Sequence, residues 1–276
     1  MYKLTNSPYL ILAISVVASF TTSFMGSAIN VALPSISLEF SSSAVLLGWI
    51  ATSYTLANAA SLIPVGKLSD IYGRTKFFKA GILMFAVSCL VSGMSVSAEM
   101  LLILRAVQGI GLSFIFVNAF SIIVSVYPAD KRGKVLGVLI ASVYTGLSAG
   151  PFIGGIITQQ FGWRYIFYLS FAVSIVVYIM MLFFLNQEWK VAEGEKFDIK
   201  GSAVSVIAII SLMLGISFIP NVSGFIAAAF GLGMLFYYKV YSDKAEHPVL
   251  KLNIFKNNRV FKFSNIAALI NYSATA

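Results

Sequence analysis

The sequence predicts an all-α polytopic membrane protein, and two observations carry that prediction: long apolar blocks, and a one-sided placement of the basic residues. Charged residues make up 11% of the chain and hydrophobic residues 59%, with a mean hydropathy of +0.90; soluble domains run near ~25% charged. The apolar residues gather near 9–32, 46–65, 77–96, 99–125, 134–158, 164–185, 199–219 and 222–241. Crossing about 30 Å of hydrocarbon takes roughly 20 helical residues. None of the blocks alternates with period two, so helices that satisfy their own backbone polar groups are expected and a barrel is excluded. A ninth block begins near 260 and the sequence stops inside it.

The first block is too long for the apolar region of a signal peptide, and Asn30-Val31-Ala32-Leu33-Pro34 does not look like a cleavage site. It is a retained helix 1, expected to end at a Pro34 turn. Glu39 opens a polar outer loop before Trp49. Blocks two and three flank a charged hinge, Gly66–Arg74, and Pro128–Gly133 closes helix 4. Loops among the first six helices are short, so neighbouring helices pack antiparallel. Four regions follow: a six-helix half over 1–185, a charged linker over 186–198, two further helices over 199–241, and a polar segment with an incomplete ninth helix over 242–276. Asn221 and Gly224 mark a tight turn between helices 7 and 8.

With the N-terminus on the cytoplasmic side, all but Arg105 and Arg164 of the 19 basic residues fall on inner segments. The positive-inside rule sets this orientation. The formal charge of +9 is therefore topological, with a small contribution from attraction to anionic lipid, and nucleic acid is not an expected partner. Cys89, the only cysteine, permits no disulfide framework and suits a small apolar filler. His247, the only histidine, reads as a solvated loop residue. Zinc-binding spacings, phosphate-binding glycine loops and hydrolase triads are all missing, which leaves no metal site and no enzyme to propose.

Polar and small residues inside the apolar blocks carry the chemistry. Arg105 lies six residues after Glu99, roughly 9 Å below the helix end at about 1.5 Å per residue. An arginine in hydrocarbon is costly and marks a functional position, unless it snorkels to the interface. Gln108 is one turn further on, beside Gly109. Gly146, Gly150, Gly154 and Gly155 form a small-residue stripe for close helix packing, and Pro151 removes one helical hydrogen bond. In the hinge, Gly66 permits close approach, Gly73 a positive-φ turn, and Asp70 is expected at a helix N-terminus with Arg74 as its partner. The bland alternative is a basic loop that only fixes topology. A faint repeat accompanies these features: Gly66 and Gly73 precede Arg74, and Gly155 and Gly162 precede Trp163-Arg164, an offset of about 89. Helices 1–3 and 4–6 would then be inverted copies.

Gly66, Leu68, Ser69, Asp70, Gly73 and Arg74 together resemble the inner-loop signature of the major facilitator superfamily, Gly-x-Leu-Ser/Ala-Asp-x-x-Gly-Arg-Arg/Lys, with Thr75 where a base is common. Arg105-Ala106-Val107-Gln108-Gly109-Ile110-Gly111 resembles that family's helix-4 motif, and Gly146–Gly155 its helix-5 motif for export-directed antiporters. Asn30–Pro34 and Trp163–Phe167 are similar to the fourteen-helix drug:proton antiporter branch. The resemblance implies proton-coupled efflux of a small organic solute, such as a drug or metabolite, by alternating access. It implies that residues 66–74 form an inner-face latch, that Arg105 faces a central cavity and acts in coupling, and that Asn30, Gln108, Asn118 and Tyr144 line the wall. No cofactor is implied beyond a proton gradient. The partners are the lipid bilayer, a small-molecule substrate, and a missing second half or another copy.

Two departures qualify this. The branch carries an aspartate where this chain has Met25, and none of the ten acids lies near a helix centre. The chain also stops within helix 9, so it is expected to be one wall of a longer transporter. The alternative is a truncated, non-transporting protein that folds only as a helix bundle or pairs with another chain.

Overall fold

The computed structural model describes residues 6–251 and 258–275, with the backbone alone over 271–275. Regular structure among them is helical throughout. α1 spans Pro8–Phe40, α2 Ala44–Tyr72, α3 Arg74–Gly93, α4 Ala98–Val126, α5 Ala129–Gln160 and α6 Arg164–Phe184. α7 spans Ile199–Phe218, α8 Val222–Ser242 and α9 Arg259–Thr275. The first eight are long and apolar enough to cross a membrane.

Two boundaries differ from the sequence expectation. α1 runs through Pro34 instead of ending there, and closes at Ser41, whose φ of 49° is left-handed and whose N–H bonds Ser37 O. A proline costs the helix one hydrogen bond, and the apolar face on either side keeps packing: Ala32 and Ile36 are both fully buried while Pro34 is exposed. The Gly66–Arg74 hinge is also mostly helix. Residues 66–72 are the last two turns of α2, and Gly73 alone separates them from α3, with φ +122°. Its missing side chain is required twice over, because a Cβ there would meet the Glu188 carboxylate.

Residues Met1–Gly194 and Glu195–Ala276 form separate compact units. The linker residues up to 194 thus belong with the six helices, nine residues further than the expected boundary at 185. In the first unit, α1 packs along α5 and α4 packs along α2. These two pairs exchange under the correspondence of α1–α3 with α4–α6, as an inverted repeat requires. Gly162, the counterpart of Gly73, also has positive φ, +96°. α3 and α6 begin directly or one residue after these glycines. The symmetry is incomplete: α3 packs on α4 far more extensively than α6 does on α1.

The core between these helices is aliphatic and aromatic, centred on Met25, Ile29, Phe78, Phe85, Leu101, Ile115 and Phe167, each fully buried. Cys89 is part of it. In the second unit, α7 and α8 form an antiparallel hairpin. Gly215 and Gly231 let the two backbones approach: a Cβ on Gly215 would reach the Ala228 backbone.

Candidate functional site: a buried arginine and a cluster at the α2–α3 corner

α4 carries Arg105 into the six-helix core, where it is 0% exposed. Burial within this half alone excludes snorkelling. Nε donates to Ile50 O at 3.3 Å and Nη1 to Gln108 Oε1 at 2.9 Å. Gln108 Nε2 donates onward to Ser92 Oγ at 2.8 Å, and Ser92 Oγ–H to Ser88 O at 2.7 Å. The guanidinium lies over the Tyr54 ring, 4.2 Å from its centroid, and Tyr54 OH donates to Thr22 O at 2.8 Å. α2 and the next turn of α4 therefore supply the cation with neutral acceptors and a π face, α1 and α3 hold those partners in place, and Arg105 Nη2 has no hydrogen-bond partner. Buried charges are ordinarily paired, and this cation has no acidic partner among the described residues, only neutral acceptors and one unpaired donor.

The expected cavity wall divides in two. Gln108, Gly109 and Asn118 are buried along with Arg105, so these four are enclosed between helices and do not face an open cavity. Gly109 sits where α4 meets α2, and any Cβ there would strike Tyr54 O. Asn118 donates to Phe114 O at 2.7 Å, and its Oδ1 is unpaired. Asn30 and Tyr144 are exposed, on α1 and α5. Sequence reasoning did not find Ser92 or Tyr54, since nothing local distinguishes them from ordinary core serine and tyrosine.

Gly146, Gly150 and Gly154 form the seam between α5 and α1. Cβ atoms there would meet Phe20 O at 2.6 Å, Ser27 Oγ, and Ala28 Cβ at 2.8 Å respectively. Gly155 looks toward Val31 at van der Waals distance. α5 is continuous through Pro151, whose ring is exposed.

At the α2–α3 corner, Asp70 lies in the last turn of α2, not at a helix N-terminus. Its carboxylate pairs with Arg74 at 2.7 Å. Arg74 also donates to Ser121 O at 3.2 Å and Ser125 Oγ at 2.9 Å, tying the α2–α3 corner to α4. A Cβ on Gly66 would lie 3.5 Å from Val117 on α4, and Ser69 Oγ donates to Val65 O at 2.7 Å. Leu68 is half-buried. The linker takes the role expected of Asp70. Glu188 accepts from Thr75 N at 2.7 Å and Lys76 N at 3.2 Å, capping α3. Thr75 Oγ1 donates to Gln187 O at 2.6 Å, and Arg74 N to Trp189 O at 3.0 Å. Val191 N and Ala192 N return to Asp70 O.

At the other end, Arg164 donates to both oxygens of Glu39, at 2.7 and 2.6 Å, and to Ser95 O at 3.1 Å. Trp163 Nε1 also reaches Glu39, at 2.8 Å. His247, read as solvated, is instead half-buried with Nδ1 3.5 Å from Glu195 and Nε2 3.8 Å from Glu246.

An inverted pair of three-helix units, eight membrane-length helices and a buried polar network define an integral membrane protein of the transporter type. Residues 15–273 match the Major Facilitator Superfamily, and the chain belongs to that family. It is 32% identical over 233 residues to multidrug resistance protein 3 of Bacillus subtilis, covering 80% of this chain and 44% of that protein. It is 27% identical over 267 residues to the riboflavin transporter RibZ of Clostridioides difficile, covering 96% and 58% respectively. The fold is similar to a crystal structure of the peptide transporter POT in complex with alafosfalin, with a TM-score of 0.64 and 16% identity over 87% of this chain and 52% of that one. The chain thus spans about half the length of these relatives. Membership sets it among membrane transporters and not among enzymes.

Proposed function

We propose that this chain forms one six-helix half, with two added helices, of a carrier that exports a small organic solute by alternating access in exchange for protons. Transport requires a second half, supplied by further chain or by another copy, since substrate sites in such folds lie between halves. The N-terminus is cytoplasmic in this reading, on the strength of the basic inner segments. Multidrug resistance protein 3 and the riboflavin transporter support a small solute as the cargo, without choosing one.

The observation that carries the coupling role is Arg105: a cation fully enclosed by neutral groups, one donor unpaired. Acids near the centres of the described helices are missing, so a carboxylate relay is not available within this half and the buried arginine is the group whose interactions would respond to charge. Asn30 and Tyr144, exposed on α1 and α5, are the wall residues open to a solute. The 66–74 cluster acts as the inner latch, held closed against α4 by Arg74. The test is solute flux in proteoliposomes under an imposed pH gradient. Gradient-dependent flux above empty vesicles supports the reading; flux that ignores the gradient rejects the coupling, and equal flux in Arg105→Ala rejects the role of Arg105.

A further inference from the structure

We infer that the inner ends of α1, α4 and α5 hold a binding site for an anionic phospholipid, its headgroup phosphate on Tyr127, Lys131 and Lys134 and an acyl chain on Leu12, Val135 and Val138. These residues line a cleft of about 460 Å³, and no carboxylate is among its lining residues. Asp130, in the first turn of α5, lies outside the lining.

The strongest observation is Tyr127. The residue is 8% exposed, and its hydroxyl is buried with no hydrogen-bond partner, although buried hydroxyls nearly always find one. Burial pushes its pKa above the usual phenol range, so the group stays a neutral donor. The loop that holds it is fixed by Arg132 Nε, which donates to Tyr127 O at 3.0 Å. Lys131 and Lys134 are exposed, and neither is in an ion pair among the described residues. A buried unpaired hydroxyl residue, two exposed cations and apolar side chains lining one cleft match a phosphate on a tail better than a soluble anion. The site also lies at helix ends, where headgroups sit, and basic clusters there attract anionic lipid.

The test uses the full chain in detergent, with bound lipid counted by native mass spectrometry. Phosphatidylglycerol is compared with phosphatidylcholine of the same acyl chains. Wild type is expected to prefer phosphatidylglycerol. Lys131→Gln with Lys134→Gln should weaken that preference roughly thirty-fold, the value of two surface cations. Tyr127→Phe, which keeps the ring, should weaken binding of both lipids about three-fold, the value of one hydrogen bond to the phosphate they share. Lys196→Gln with Lys200→Gln removes equal charge elsewhere and should leave the preference unchanged. Equal loss in that control, or no preference in wild type, overturns the site. Inorganic phosphate binding as tightly as phosphatidylglycerol overturns the lipid assignment.

Discussion

Glu188 and Thr75, 113 residues apart, are joined by a 2.7 Å hydrogen bond from the Thr75 N–H to the Glu188 carboxylate. The segment after α6 thereby caps α3, at the point where the family signature ends. Helix N-termini leave unpaired N–H groups and favour a negative charge, and here a residue from the far end of the half supplies it. Glu188→Ala should lower the stability of the purified chain by about 1 kcal/mol, the usual value of a lost cap, with Glu188→Gln in between. Thermal unfolding in detergent reads both; an unchanged midpoint in Glu188→Ala would remove the cap from the account.

Gly73 meets two constraints, φ +122° and the Glu188 carboxylate in the place of a Cβ. Gly73→Ala should destabilise by more than about 1 kcal/mol. Combining it with Glu188→Ala should cost less than the sum of the two, because the steric conflict disappears while the backbone strain stays. A double-mutant cycle on melting midpoints measures this.

The α1–α5 seam gives a contrast within one helix. Gly150→Ala drives a methyl into Ser27 and the α1 backbone and should cost roughly 1–3 kcal/mol. Gly133→Ala, where nothing lies within 4 Å, should gain up to about 1 kcal/mol from helix propensity. Opposite signs in the same melting assay are the expected result.

Gln108 is the acceptor that Arg105 Nη1 uses. Gln108→Leu leaves a buried guanidinium with one fewer partner and Ser92 Oγ without its donor, and should cost about 1.5–3 kcal/mol, as for a hydrogen bond to a charged group. Arg105→Met with Gln108→Leu removes the charge as well, and should recover much of that loss.

The exposed Glu39–Arg164 clasp should behave differently. Its side chains are 33% and 40% exposed, so Glu39→Gln should change stability by no more than about 1 kcal/mol and less at high salt. Melting at low and high ionic strength checks this.

Helix count and spans were legible because about 30 Å of hydrocarbon imposes its length on the sequence. Gly73, Arg74, Arg105 and the Gly146–Gly154 stripe were legible because each breaks a local rule: a glycine at a turn, a charge or a row of small residues in an apolar run. The continuation of α1 through Pro34 was not, since one lost hydrogen bond is outweighed by packing of Ala32 and Ile36, which depends on distant helices. Glu188 on Thr75 and Ser92 on Gln108 were equally hidden, because each contact exists only once the chain has folded. The same holds for the enclosure of Arg105: its spacing along α4 gave its depth but not the neighbours that close it off from a cavity.

The most direct measurement of the central claim is pH-driven solute flux in proteoliposomes, with the chain continued by a second six-helix half, for wild type and Arg105→Ala side by side. The account predicts gradient-dependent flux in wild type and flux at the level of empty vesicles in Arg105→Ala, with both proteins folded by thermal unfolding. Gradient-driven flux in Arg105→Ala equal to wild type would contradict it.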